Sequence, residues 1–591
     1  MTPRLRWLPA AALVFAAHVP AAAQQSAPAA DPAAARVNAL ADEMVAIFLK
    51  RSPEIGTLYG LPGASHEGLT DNSLAAFTAF QRVEDDYRRR VLAVDPAPLR
   101  GRPEYVTLAF LREQVESGEQ GRVCRGELWN VDQMFGWQVQ TPQLAAVQPV
   151  GTPDLRRQAL ARFRLVPRSI DNETASLREG MRLGYTAPKV NVRRVIEQLE
   201  MLTSGAPGDS PFASPALRDT SDAFRRQWLA LVADSINPAI RRHRDFLANE
   251  YLPRARDAIG VSAHANGAAC YQARVRSFTT LSDRDPQWIH RTGLAQMEKI
   301  QAEMLQIARR SFGTDDVPAL LERMRTDTAF TFRSREQILA YVDSAIARSK
   351  REMPKWFGRL PQADVVVDPY LPFEERSAAG ASYEQPAADG SRPGRYRINL
   401  FEPEKQSRAG MESTAFHEAI PGHHLQLALA MERPQAHLVT RMLGNSGFSE
   451  GWGLYAERLA DEMGLFSGDV DRMGLLSNEA LRAARMVVDP GMHVLGWTRR
   501  QAVDYMLRHT AEPRTGVDNE VDRYIAWPGQ ATAYMTGMLE IRRLREMAER
   551  ELGPRFDIRA FHDRVLEDGT VPLPLLREKI ERWIAEEKAK P

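Results

Sequence analysis

Along most of this chain apolar residues recur at steps of three and four, a spacing that lines one face of an α-helix. From Ile289 to Ser311 the stripe is Ile289, Leu294, Met297, Ile300, Met304 and Ile307, with Gly313 following as a stop signal. Ser334 and Gln337 give a capping-box start to a second helix, which carries Ile338, Tyr341, Val342 and Ile346 and is expected to stop before Pro354. Stripes of the same kind run from Val37 to Lys50 and from Tyr534 to Met547. Strand signal is confined to residues 363–400. There Val365-Val366-Val367 and Tyr396 to Leu400 read as short strands around a turn-rich stretch from Gly380 to Gly394. The expected fold is therefore mainly α, a large helical body with a small β-sheet next to the segment that carries the chemistry. Ser204 to Pro215, dense in Gly, Pro, Ser and Ala, marks a loop or seam. The expected divisions are an N-terminal helical region at 37–275, a helical region at 276–362, the sheet and loop at 363–400 and a helical region at 401–591, all in one continuous body.

An export signal is expected ahead of the first helix. Arg4 and Arg6 lead into a short apolar run from Trp7 to Val19, and Ala21-Ala22-Ala23 supply small residues for cleavage. Residues 1–23 thus read as a signal peptide, and residues 24–36, opening on Ala, Pro and Gln, as a flexible leader. The apolar run is too short to span a bilayer, which takes about 20 residues, and no later run is long enough. The expected location is the periplasm or the cell exterior. With 77 Lys+Arg against 76 Asp+Glu, the chain has no bulk charge to hold nucleic acid. An oxidising compartment permits its two cysteines, Cys124 and Cys270, to pair, but their separation in sequence leaves that open, as it does the oligomeric state.

After the sheet signal comes the segment Glu412 to Gln426, where three of the chain's 12 histidines fall within eight residues. A His-Glu pair followed by further histidines on a helix is a zinc-binding pattern: imidazole nitrogens ligate the ion, and the adjacent carboxylate serves as base for a water. The spacing departs from His-Glu-x-x-His. Four residues after His417 stands Pro421, and the next histidines are His423 at +6 and His424 at +7. On an unbroken helix +6 lies about 240° round and +7 about 10.5 Å along the axis, so neither reaches one ion together with His417. Pro421 offers no N–H to the carbonyl of His417, so the helix has to break or bulge, and a two-residue bulge would carry His423 to the place of a +4 histidine. The next acidic cluster supplies Glu450 and Glu457, seven residues apart and so on one helical face. Glu450 reads as the third ligand, and Glu457 as a ligand's partner, an alternate ligand or part of a solvated face.

The runs His417 to Gln426, Glu450 to Glu457 and Trp527-Pro528-Gly529-Gln530-Ala531, with Tyr534 and Gly537, resemble the bacterial domain-of-unknown-function 885 family over most of the chain. The resemblance implies a zincin-like helical body with a deep channel, similar to the carboxypeptidase Taq and thimet-oligopeptidase type, acting on short peptides. In that family the residue after Pro-Gly-His varies, which favours His423 over His424 as the ligand. The protein is then expected to be an exported metal-dependent peptide hydrolase, acting as carboxypeptidase, dipeptidase or oligopeptidase. Zinc would sit on His417, His423 and Glu450, Glu418 would be the general base, and Tyr534 or His493 would steady the oxyanion. Asp489 is expected to orient His493, and Arg485 or His493 to hold a peptide carboxylate, against the alternative that these three form a buried ion-pair network. Asn399, at the end of a strand, is a candidate for binding an extended peptide. Two other functions compete. One is a non-catalytic exported metal- or peptide-binding protein; the other is a serine hydrolase built on Gly447-Phe448-Ser449-Glu450-Gly451 with Asp489 and His493.

Overall fold

Asp31 accepts a hydrogen bond from Ala33 N, and Pro32 brings a φ already suited to a first turn; together they open helix α1 (Pro32–Arg51). Residues 32–36, expected in the leader, are therefore helical. The computed structural model describes residues 31–591 except 62, 372–374, 376–379, 387–391, 434–435 and 443, so the signal peptide and the start of the leader lie outside the described residues. The other helices that build the site are α2 (Gly267–Thr279), α3 (Pro286–Ile307), α4 (Arg335–Trp356), α5 (Met411–Glu418), α6 (His423–Met431), α7 (Ser446–Glu462), α8 (Asp469–His493), α9 (Arg514–Ala526) and α10 (Ala533–Leu552).

The apolar stripe at 289–307 is the buried face of α3, which packs along α8; only Leu294, 38% exposed, stands off it. Each of the other five side chains contributes about 1.5–3 kcal/mol on burial. Helix α4 starts at Ser334, whose hydroxyl accepts from Gln337 N, while the Gln337 side chain accepts from Arg333 N. The expected stop before Pro354 is corrected: α4 continues to Trp356, past a proline that sits in its last turn.

The strand expectation also needs one correction. Strands β1 (Val365–Pro369), β2 (Ala381–Glu384) and β3 (Gly394–Ile398) form a sheet in the order β1-β3-β2, with β1 parallel and β2 antiparallel to β3. β2 lies inside the stretch read as turn. Its four residues, Ala-Ser-Tyr-Glu, are too few and too polar to signal a strand, and only pairing with β3 makes them one.

The largest apolar cluster runs from Val106 to Ile584 and takes in α2, α3, α4, β3 and the helices from α5 onward. A second gathers residues 131–255 and a third residues 34–111 with Val439, so the expected N-terminal region at 37–275 is shared among three clusters. Cys124 and Cys270, both buried, are joined in a disulfide that ties α2 to the chain 146 residues earlier. Helices α7 and α10 cross at glycines: a Cβ on Gly451 would come within 2.6 Å of the Gly537 backbone, and one on Gly537 would overlap the carbonyl oxygen of Gly447. Among the described residues no helix is long and apolar enough to cross a membrane.

Candidate metal centre

The helix breaks ahead of Pro421, which has no N–H to give the His417 carbonyl. α5 ends at Glu418, residues 419–422 leave the helical path, and α6 restarts at His423. Backbone groups released by the break find partners, as buried polar groups must. His424 N donates to Ala419 O at 2.9 Å, Ser349 Oγ to Ile420 O at 3.0 Å, and Trp452 Nε1 to Pro421 O at 3.0 Å. The break turns His423 back toward His417, and their ring centroids stand 4.7 Å apart at 85°.

Helix α7 supplies the carboxylates from one face. Glu450 Oε2 lies 3.4 Å from His417 Nε2 and 3.6 Å from His423 Nε2. Two turns on, Glu457 is fully buried behind His417, its Oε1 2.8 Å from the ring's Nδ1. Gly453 sits between them on the same face, and the imidazole of His417 fills the space a side chain would need: a Cβ there would stand 2.5 Å from Cε1 and 2.7 Å from Nε2. Ser413, one turn before His417, donates to Glu457 Oε2, and Arg482 Nη2 lies 3.7 Å from Oε1.

Taking one donor atom from each residue, His417, His423 and Glu450 all lie within 4.8 Å of one another. Zinc bonds of about 2.0–2.1 Å in a tetrahedron put neighbouring donors about 3.3–3.4 Å apart. The observed 3.4 and 3.6 Å separations suit such an ion. The charges agree. Burial works against a proton on His417, but hydrogen bonds to Glu450 and Glu457 and the charges of Glu457 and Glu418 outweigh it and push its pKa up to about 10. Burial favours a neutral Glu450, yet the two imidazoles hold its carboxyl well below the usual range. The carboxylates around His417 thus favour positive charge at that ring.

These residues open on a cavity of about 400 Å³ also lined by Glu418, Ser449, Arg482, Arg485, Tyr534 and the β2 residues Ala381 to Tyr383. Among the described residues Glu418 makes no hydrogen bond or ion pair that would occupy its carboxylate. Tyr534 lies under Arg485, whose guanidinium carbon is 4.5 Å from the ring centroid; burial and the charge of Glu450 raise the phenol's pKa. Arg485 is fixed by Tyr524 Oη at 2.9 Å and Glu520 Oε2 at 2.8 Å, with Nη1 left without a partner among the described residues.

Several expected roles do not survive the geometry. His424 cannot be the second ligand, because Tyr383 Oη engages its Nδ1 at 2.9 Å and Ala363 O its Nε2 at 3.0 Å. His493 lies outside the cavity: Nδ1 accepts from Val261 N at 3.1 Å, Nε2 donates to Tyr524 O at 2.9 Å, and burial lowers its pKa to about 4. Asp489 does not orient it, but accepts from Tyr271 Oη at 2.5 Å and Gly529 N at 3.0 Å, with burial raising its pKa to about 7. Asn399 follows the central strand of the sheet, not an edge, and its side chain donates to Glu375 O in the β1–β2 connection and accepts from Phe401 N. Ser449 is in the first turn of α7, with no strand leading into it, and its hydroxyl accepts from Gln426, so the nucleophile elbow is absent. Sequence reasoning missed Ser413, Arg482, Gly453 and Tyr383. Ser413 could have been found as the residue one turn before His417, and Gly453 as the residue between two same-face glutamates; Tyr383 carried no signal.

Fold and site define a mainly helical protein whose histidine pair flanks a helix break and faces a glutamate on a neighbouring helix. The chain belongs to the family described as bacterial protein of unknown function (DUF885), whose sequence profile matches residues 53–580. A candidate lipoprotein from Colwellia psychrerythraea is similar in structure with a TM-score of 0.85 and 25% identity, over 94% of this chain and 99% of that one. A candidate lipoprotein of unknown function from Shewanella oneidensis shares the fold at a TM-score of 0.75 and 18% identity, over 93% and 99%. No curated protein matches the chain.

Proposed function

We propose that this protein is an exported metal-dependent peptide hydrolase with a zincin-like site. The observation that carries the reading is the convergence of His417, His423 and Glu450 within 4.8 Å, beside Glu418 on the same cavity wall. A divalent ion such as zinc, held by those three residues, supplies the Lewis acidity that makes water a nucleophile near neutral pH. Glu418 takes a proton from the attacking water and returns it to the leaving amine. Glu457, through Nδ1 of His417, fixes the ring so that Nε2 faces the cavity. Tyr534 donates to the carbonyl oxygen as it gains charge, in the part that His493 cannot take. β2 is an edge strand among the described residues, and its Ala381 to Tyr383 line the cavity, so an extended peptide has main-chain groups to pair with. The neighbours' description as lipoproteins accords with export.

The test is metal analysis of the purified chain joined to digestion of a peptide library, with Glu418→Gln alongside. The variant should keep its metal and lose about 10²- to 10⁴-fold in turnover. Full activity in that variant, or cleavage that persists without metal, would overturn the proposal.

A further inference from the structure

A second cavity, of about 370 Å³, shares no residue with the first and has a different character. Six cationic side chains line it: Arg102, Arg359, Arg433, Arg564, Lys579 and Arg582. Three carboxylates, Glu567, Asp568 and Glu586, stand among them, and two more, Asp31 and Glu578, pair with Arg102 and Arg582 from beyond the wall, which leaves a surplus of one positive charge (6 − 5). Asp568 is shared, lying 3.2 Å from Arg433 Nη2 and 2.6 Å from Lys579 Nζ. Arg433 is 6% exposed, yet its Nε and Nη1 have no partner among the described residues. A buried guanidinium with two idle donors is costly unless something else completes it. Burial pulls the Arg433 pKa down; Asp568 and Glu567 oppose this, while Arg359 and Arg441 add to it. Arg359 itself is exposed and makes no ion pair among the described residues.

The cavity wall also includes Gly101, Arg102 and Pro103, where helix Pro103–Gly121 begins with no side-chain cap. The positive end of that helix's dipole adds to the same field. Carboxylate, phosphate and sulfate all answer to such a site, and the idle donors of Arg433 together with Arg359, unpaired among the described residues, suit the several oxygens of a phosphate best. The space exceeds one inorganic ion, and Tyr105, Leu575 and Trp583 give it an apolar flank.

We propose that this cavity is a binding site for a phosphate-class oxyanion carried on a small organic molecule, with Arg433 as its buried anchor and Arg359 at its mouth. The inference is independent of the metal centre. Full-length protein, stripped of metal by chelator and kept at low salt, is titrated calorimetrically with inorganic phosphate and with phenyl phosphate. One saturable site is expected, tighter for phenyl phosphate and weakened by added salt. Arg359→Glu, an exposed change that leaves folding intact, should weaken binding at least about tenfold, and Arg433→Gln should do the same or more. The proposal is overturned by lack of saturation at about 10 mM, or by equal affinities for wild type and both variants. Vesicles of phosphatidylglycerol distinguish the remaining source: Arg359-dependent co-sedimentation without phenyl phosphate binding would replace the small molecule by a lipid headgroup.

Discussion

Replacing Gly453 by alanine tests the site through its packing. The new Cβ would stand 2.5 Å from Cε1 and 2.9 Å from Nδ1 of His417. Carbon contacts settle at about 3.5–4.0 Å, so ring and helix must part by about 1 Å or more. Helix α7 is not free to retreat, because Gly447 and Gly451 on another of its faces already lie against the α10 backbone at Gly537. The ring must therefore move, and Glu457 holds it from behind at 2.8 Å. Metal ligands tolerate about 0.2 Å, so zinc affinity should fall by at least about 10- to 100-fold. Overpacking should cost about 1–3 kcal/mol of stability. Competition against a fluorescent zinc chelator gives the first number and a denaturant melt the second. A variant that binds zinc within about threefold of wild type, a difference of about 0.65 kcal/mol, and melts with it would refute the packing argument. A wild type that binds no zinc would refute the metal assignment itself.

Other outcomes follow from the same geometry. Glu457→Gln keeps the shape behind His417 and removes the charge, so zinc affinity should drop about 10- to 100-fold in the same competition assay; an unchanged affinity would mean the ring needs no carboxylate there. Reducing the Cys124–Cys270 disulfide, which links residues 146 apart in sequence, should cost up to about 5 kcal/mol by loss of chain-entropy restraint, read as a lower denaturant midpoint. His493 is held neutral by burial with a pKa of about 4, so the unfolded chain takes up its proton first as pH falls from about 6.5. Its contribution is thus present above a pH of about 6.5 and lost toward about 4. The stability advantage of wild type over His493→Gln should shrink by on the order of 3 kcal/mol across that window, and a constant gap would refute the linkage.

Much of the site was legible because its signals are local. Pro421 denies an N–H to one carbonyl wherever it stands, so a break after His417 followed from the sequence, as did the shared face of Glu450 and Glu457. The failures have a common cause. Asp489 and His493 sit one turn apart on α8, which suggested a pair, but each is claimed by groups far off in the chain: Tyr271 and Gly529 for one, Val261 and Tyr524 for the other. β2 was invisible for the same reason, since a short polar strand exists only through its partner.

The sequence by itself determined the helical build, the family and the residues able to ligate a metal, because periodicity, proline chemistry and side-chain type act within a few residues. Only the tertiary structure decided that His423, not His424, faces His417, that Gly453 makes room for the ring, and that Glu457 stands behind it. Those outcomes depend on which distant groups meet in space, and a hydrogen bond or a van der Waals clash takes effect only once packing has brought its two partners together.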